Sequence, residues 1–161
     1  KNHVGRKKWG KDLMKFAKVR RLKEDIKLPE RSTKHSAGYD FFACEYVEIE
    51  PYSKIGKQVP VNTGVKVYLD DGKFLMLANR SSNPEKLGLV IPASVGIIDG
   101  DYVDNETNDG EIIFNFVNMS DESVLLKPGD KIGQGIIMDY YTIENDNADG
   151  VRTGGFGSTG K

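Results

Sequence analysis

An all-β sandwich or barrel, with a jelly roll among the natural candidates, is the fold class this sequence predicts, and three observations predict it. Short runs rich in β-branched and aromatic residues recur from Phe16 onward. Turn-forming residues break those runs at close intervals. Helical periodicity over ten or more residues is absent beyond the N-terminal segment. The length of 161 residues fits one domain, and 38% apolar residues with 18 glycines are enough for a sizeable core.

The elements follow in chain order. Trp9, Leu13 and Phe16 stand at i, i+4 and i+7, the spacing of a short amphipathic helix. Val65–Leu69 and Ile112–Val117 carry the β-branched and aromatic content of half-buried strands. Phe74–Leu77, Leu87–Ile91, Val124–Leu126 and Ile132–Met138 are further short apolar runs. Asp70-Asp71-Gly72, Asn83-Pro84, Asp99-Gly100 and Lys127-Pro128-Gly129-Asp130 supply the turns between them. From about Glu144 the chain becomes polar and glycine-rich, which reads as a mobile arm. The expected organisation is a basic N-terminal arm or expression remnant (1–16), a β barrel (17–143) and a glycine-rich C-terminal arm (144–161).

Charge narrows the function classes. Formal net charge is −1, yet residues 1–27 hold eleven basic groups against three acids. Such an arm attracts phosphate or nucleic acid at long range. No aromatic-interleaved repeat accompanies it, so nucleic acid is not the expected partner and a solvated tail is the simpler reading. No apolar run reaches the ~18–20 residues of a spanning helix, and no signal peptide is read at the start. A single cysteine, Cys44, excludes an intrachain disulfide framework and fits a reducing cytoplasm. With only His3 and His35, histidine-based triads and metal sites are poorly supplied.

Three stretches carry phosphate chemistry. Gly155–Lys161 nearly matches G-x-x-x-x-G-K-[ST], but without the final hydroxyl or a following helix. What remains is a glycine strip with Ser158 and Thr159 whose backbone N–H groups can approach a polyanion, or else a flexible linker. Arg152 beside it offers a planar fork for phosphate oxygens, and Phe156 a ring for stacking. Arg80-Ser81-Ser82 after an apolar strand combines one guanidinium with two hydroxyls, an anion clamp or ordinary turn capping. Gly96-Ile97-Ile98-Asp99-Gly100 runs two apolar residues into Asp-Gly, the pair that favours a tight hairpin; Asp99 is then held at a strand end facing a pocket, or merely makes the turn. The acids Asp101, Asp104, Glu106, Asp109 and Glu111 miss the calcium-loop spacing, because the glycine after Asp104 arrives one position late, and read as a solvated loop.

Each motif is weak alone; their order is specific. Ala37-Gly38-Tyr39-Asp40, Arg80-Ser81-Ser82, Gly96 to Tyr102, Gly129 to Gln134 and Gly154 to Gly160 closely resemble the five ordered motifs of the trimeric dUTP diphosphatases, from about Ala17 to the end. The resemblance implies a distorted jelly-roll-like β barrel assembled as a homotrimer, with sites shared between subunits and the C-terminal arm as a lid on a neighbour. It implies hydrolysis of dUTP to dUMP and pyrophosphate with Mg²⁺ held by the triphosphate. By resemblance, Asp99 activates the water, and Arg80, Ser81, Ser82 and Gln134 contact phosphates. Arg152 reaches the γ-phosphate and Phe156, within Phe156-Gly157-Ser158-Thr159, covers the uracil. Tyr102 packs under the deoxyribose and leaves no room for a 2′-hydroxyl, while Gly96, Ile97 and Ile98 read the base through backbone groups. Asp40 orders water around the metal or the lid arginine. An aspartate is a weak base at neutral pH, so positioning must supply much of the rate.

The sequence also departs from the family. Val103 to Asp109 intervene where the family often continues directly to glycine and glutamate, which resembles variants of bacteriophages and Gram-positive bacteria. Ala93 stands where an asparagine is frequent, and Arg152 is one residue closer to Gly154-Gly155-Phe156 than in many members. Two alternatives share the fold: a dCTP deaminase relative, which usually has glutamate where Asp99 stands, and a nucleotide-binding regulatory or interaction protein.

Overall fold

The computed structural model describes residues 14–155. Eleven short strands and two one- to two-turn helices make up this part, so the all-β expectation holds. Strand β1 (Lys15–Lys18) pairs antiparallel with β5 (Val65–Tyr68). A second pair joins β3 (Val47–Ile49) to β10 (Val124–Leu126). A three-stranded sheet runs β4 (Val59–Asn62), β9 (Ile113–Asn118), β7 (Leu89–Val90). The four-stranded sheet that carries Asp40, Gln134 and Gly96–Ile98 has the order β2 (Tyr39–Phe42), β11 (Lys131–Asp139), β6 (Lys73–Ala78), β8 (Gly96–Ile98). Two helices, α1 (Tyr52–Ile55) and α2 (Ser82–Leu87), fill connections. No helix among the described residues is long and apolar enough to cross a membrane.

The sheets close around Phe41, Phe114, Phe116, Leu75, Ile49, Ile112 and Ile132, all essentially buried. Phe41 and Phe114 meet with ring centroids 5.5 Å apart, and Phe114 stacks on Phe116 at 6.2 Å. Burial of side chains this size stabilises by roughly 1.5–3 kcal/mol each. Strand β11 leaves the room they need: a Cβ on Gly133 would lie 2.2 Å from the Phe114 ring, and one on Gly135 2.7 Å from Phe41. Strand alternation then turns Gln134, between those glycines, to the opposite face.

Several sequence expectations need correction. Phe16 is not helical; it lies in β1 opposite Val67, with its ring edge-on to Tyr39 and Phe41 at 5.3 and 5.5 Å. Cross-strand pairing and aromatic packing override a periodicity that no local force fixes in a short segment. Trp9 and Leu13 lie outside the described residues. The boundary drawn after residue 16 falls inside β1. Asn83-Pro84 is not a turn but part of α2, where a first-turn proline has no missing intrahelical bond to cost. Leu87 closes that helix, which leaves only Leu89–Val90 of the expected Leu87–Ile91 strand. Asp99-Gly100 does not link two hairpin strands. Tyr102 N–H donates to Asp99 O (3.1 Å) to close a turn, and no strand follows until Ile113; β8 pairs with β6 instead.

Candidate active site

Strand β8 pairs with β6 at Leu75↔Ile98 and Leu77↔Gly96 and presents its end, Asp99, to solvent. Beside it a cavity of about 430 Å³ is lined by Gly96, Ile97, Ile98, Asp99, Tyr102 and Arg152, among others. This gathers five residues singled out around Asp99 and brings Arg152 to them from 53 positions away in sequence. The Arg152 guanidinium donates to Asp99 Oδ2 (2.5 Å) and to Asp101 Oδ1 (2.8 Å), with a weaker bond to Gly154 O (3.3 Å). Its side chain is largely covered while both carboxylates stay half in solvent, so they remain within reach of a ligand.

Tyr102 is 6% exposed and forms one wall of the cavity. Its hydroxyl donates to Glu111 O (2.7 Å) and accepts from Asn108 Nδ2 (2.8 Å). Burial pushes its phenol above the usual range, partly opposed by the Asn108 hydrogen bond. The C-terminal segment passes against the ring: a Cβ on Gly155 would lie 2.5 Å from Tyr102 Cε2, so only glycine fits there. Phe156, Gly157, Ser158 and Thr159 lie outside the described residues.

The other candidates assemble elsewhere. Gln134 pairs in register with Asp40 on β2 and Ala78 on β6, and its amide donates to Asn79 O (3.2 Å). Arg80 follows, with one guanidinium nitrogen donating to Lys131 O (3.1 Å). The hydroxyls of Ser81 and Ser82 have no hydrogen-bond partner among the described residues, although Ser81 sits at the N-cap of α2. Asp40 accepts from Ser32 Oγ (2.5 Å) and pairs with Lys131 Nζ (3.1 Å). Burial alone would raise its carboxyl, but these two bonds and the charges of Lys131 and Arg80 hold it below the ordinary value. Asn79 buttresses this end by accepting from Asn83 Nδ2 (2.8 Å) and donating to Leu89 O (2.9 Å).

The two groups stand apart. Ile98 is opposite Leu75, and Arg80 lies five residues further along the same strand line, roughly 17 Å at ~3.3 Å per residue. One chain therefore offers a cavity with Asp99, Tyr102 and Arg152, and separately a cationic, hydroxyl-bearing edge with Arg80, Ser81, Ser82 and Gln134.

The acidic segment after Tyr102 is not the solvated loop its composition indicates. Arg21 grips Glu111 with two bonds (2.8 and 2.6 Å), and Arg20 pairs with Asp109 (2.7 Å). Lys66, only 6% exposed, reaches Asp104 (2.5 Å) and Asp109 (3.0 Å). Part of the basic N-terminal charge is thus matched by these acids. Gln58 and Asn115, polar residues lining the cavity, carried no motif that would have marked them.

Magnesium ordinarily keeps most of its oxygen shell from water and phosphate, with one or two carboxylates. Among the described residues no group of three or more acids, histidines or cysteines is placed to hold a metal, and Asp99 and Asp101 are committed to Arg152.

Residues 24–160 match the dUTPase family model. The deoxyuridine 5'-triphosphate nucleotidohydrolase of Lactococcus lactis is 43% identical over 137 residues, 84% of this chain and 89% of that protein. The same-named protein of Acinetobacter baumannii is 34% identical over 149 residues, 88% of this chain and 93% of its own. Among solved structures, the dUTPase of Streptococcus mutans aligns with a TM-score of 0.75 at 41% identity, covering 81% of this chain and 98% of that one. The dUTPase of phage phi11 of S. aureus shares the fold, with a TM-score of 0.66 at 23% identity over 88% of this chain and 99% of that one. Another structure of that phage enzyme, a point mutant, describes a structural Mg(II) ion. A β fold of this topology, the ordered motifs and a match spanning most of the chain converge, and the chain belongs to the dUTPase family.

Proposed function

We propose that this protein hydrolyses dUTP, as its Mg²⁺ complex, to dUMP and pyrophosphate. The observation that carries the reading is the convergence of Asp99, Tyr102 and Arg152 on one cavity walled by the backbone of Gly96–Ile98. Asp99 holds a water for attack on the α-phosphorus: a P–O bond to that water forms, the bond to the bridging oxygen breaks, and pyrophosphate leaves. The water's proton passes to the carboxylate and on to solvent. Arg152, held in the free chain by Asp99 and Asp101, takes phosphate oxygens as its partners when nucleotide arrives. The cation supplies charge neutralisation on the triphosphate. Tyr102 lies beneath the deoxyribose and excludes a 2′-hydroxyl, and Phe156 to Thr159 close over the base and phosphates.

The phosphate-side residues come from another copy of the chain. The α-phosphorus must lie within one water of Asp99, and the β- and γ-phosphates are only a few bonds further on. Arg80, Ser81, Ser82 and Gln134 of the same chain, roughly 17 Å along β6 and beyond, are out of range. The same residues of a second copy complete the site, with Asp40 ordering water near the cation, and a homotrimer is the assembly that the family resemblance implies. Cytoplasm, where nucleotide pools reside, is the compartment this reading implies.

The test is release of pyrophosphate from dUTP, dTTP, dCTP and UTP in Mg²⁺, with ammonia assayed in parallel and mass followed by light scattering. Turnover confined to dUTP by a trimer supports the reading. Ammonia from dCTP, or no preference for dUTP, overturns it.

A further inference from the structure

The segment from Val103 to Gly110 closes on itself at the base of Tyr102. Asp104 N–H donates to Asp109 O (3.2 Å), Asp109 N–H to Asn105 O (3.0 Å) and Glu111 N–H to Asn108 O (3.1 Å). Gly110 has φ +80°, and a Cβ there would sit 2.6 Å from Val103 Cα, so the loop closes only with glycine. Asp104 and Asp109 are themselves left-handed (φ 58° and 62°), a conformation aspartate tolerates, and both are held by Lys66.

Inside this knot, two side-chain amides address Tyr102 from both ends. Asn105, 7% exposed, donates its Nδ2 to the Tyr102 carbonyl (2.8 Å) and to Asn108 Oδ1 (2.8 Å). Its Oδ1 accepts from the N–H groups of Thr107 and Asn108 (3.0 Å each). Asn108 donates its Nδ2 to the Tyr102 hydroxyl (2.8 Å), and its Oδ1 also accepts from Gly110 N–H (3.2 Å). The hydroxyl donates in turn to Glu111 O (2.7 Å). The phenol oxygen therefore has one donor and one acceptor partner fixed in direction, which sets the tilt of the ring and not only its burial.

We propose that Asn108 is a positioning residue that fixes the Tyr102 ring, so that the loop Val103–Gly110 sets the discrimination between deoxyribose and ribose. This rests on the reading of Tyr102 as the floor beneath the sugar. A steric wall rejects one extra hydroxyl only as firmly as it is held, and an apolar surface free to shift discriminates weakly. A single hydrogen bond of ordinary strength is worth ~0.5–1.5 kcal/mol, or about three- to tenfold in rate.

The experiment measures kcat/KM for dUTP and UTP in the wild type, Asn108→Asp, Asn108→Ala, Tyr102→Phe and the Asn108→Ala/Tyr102→Phe double variant. Asn108→Asp keeps the acceptor used by Gly110 and Asn105 and replaces the donor to the phenol with an oxygen that can only accept; the phenol then loses its donor and can bind the carboxylate only by giving up Glu111 O, so loop closure and ring positioning separate. The dUTP-over-UTP ratio is expected to fall about tenfold in Asn108→Asp and Tyr102→Phe alike. The double variant is expected to be no less selective than either single one, because both remove the same contact. Wild-type selectivity in Asn108→Asp, or additive losses in the double variant, overturns the inference. If Asn108→Ala does not fold, the near-isosteric Tyr102→Phe and the Asp variant decide alone. A wild type that does not prefer dUTP overturns the functional reading and the inference with it; a selective wild type with equally selective variants overturns the inference only.

Discussion

Two polar regions of this chain use charge in opposite ways. Between Asp101 and Glu111, carboxylates and amides are bound into the fold: Glu111 by Arg21 and the N–H of Gly64, Asp104 and Asp109 by Lys66, Asn105 and Asn108 around Tyr102. At the opposite end of β6, Arg80 has a single backbone acceptor, and the Ser81 and Ser82 hydroxyls have no partner among the described residues. The first region satisfies its polar groups to hold a wall of the cavity rigid. The second leaves donors open, the condition for binding a polyanion. Charge content alone does not separate the two, since the acidic segment reads as a solvated loop and Arg80-Ser81-Ser82 as an anion clamp or ordinary turn capping; the count of satisfied partners does.

Substitutions can break or sharpen this contrast. Asp99→Asn is expected to lower kcat for dUTP by about a thousandfold, ~4 kcal/mol, while calorimetry still registers nucleotide binding; a fully active variant removes Asp99 from the chemistry. Glu111→Ala should act on the fold instead, costing about 3 kcal/mol by stranding Arg21 and the Gly64 N–H, and lowering Tm by roughly 6–12 °C. Arg80→Ala is expected to do the reverse, raising KM for dUTP about tenfold with Tm unchanged within about 1 °C. A large loss of Tm there would mean that the two ends of β6 do not differ as described.

The smallest effect is on pH dependence. Burial favours the neutral Asp109, but hydrogen bonds from the Arg20 backbone, Lys66 and the Arg20 side chain outweigh it and hold its carboxyl below 3.8. Its contribution is present above that value and is lost as pH falls through the lowered one. Burial likewise opposes the Lys66 ammonium, yet Asp104, Asp109 and Tyr68 raise it above 10.5. That contribution is complete below 10.5 and is lost as pH rises through the raised value. Thermal midpoints are expected to be flat between about pH 4 and 10 and to fall outside it. Replacing Lys66 with methionine should reduce the alkaline decline, leaving the part that comes from the raised phenol of Tyr102.

Much of the barrel was legible because its strands are defined by composition that survives in isolation. Val124–Leu126 appears as read, Val65–Tyr68 differs by one residue at one end, and Lys73–Ala78, Ile113–Asn118 and Lys131–Asp139 differ by one residue at each end. Lys15–Lys18, Val47–Ile49 and Val59–Asn62 were not legible, since their identity comes from the strands they pair with, Val65–Tyr68, Val124–Leu126 and Ile113–Asn118. Asp99, Tyr102 and Arg152 were readable from the order of motifs, and their convergence needed the fold. The bonds of Asp104, Asp109 and Glu111 to Lys66, Arg20 and Arg21 span 38 to 90 positions, a distance over which local spacing carries no signal. Asn108 carries no sequence signal for a different reason: its partner ring is only six residues earlier, but a closed loop is needed to bring the two together.

The most direct measurement mixes two impaired forms. Arg80→Ala and Asp99→Asn are co-assembled and assayed at dUTP well below the wild-type KM, where the first retains about a tenth of wild-type turnover and the second about a thousandth. If a site takes Asp99 from one copy and Arg80 from another, mixed assemblies contain sites with both intact, and turnover should recover to a substantial fraction of the wild type. Turnover no higher than the sum of the two parents, in assemblies verified as mixed, would contradict the shared site and with it the reading of the two ends of β6.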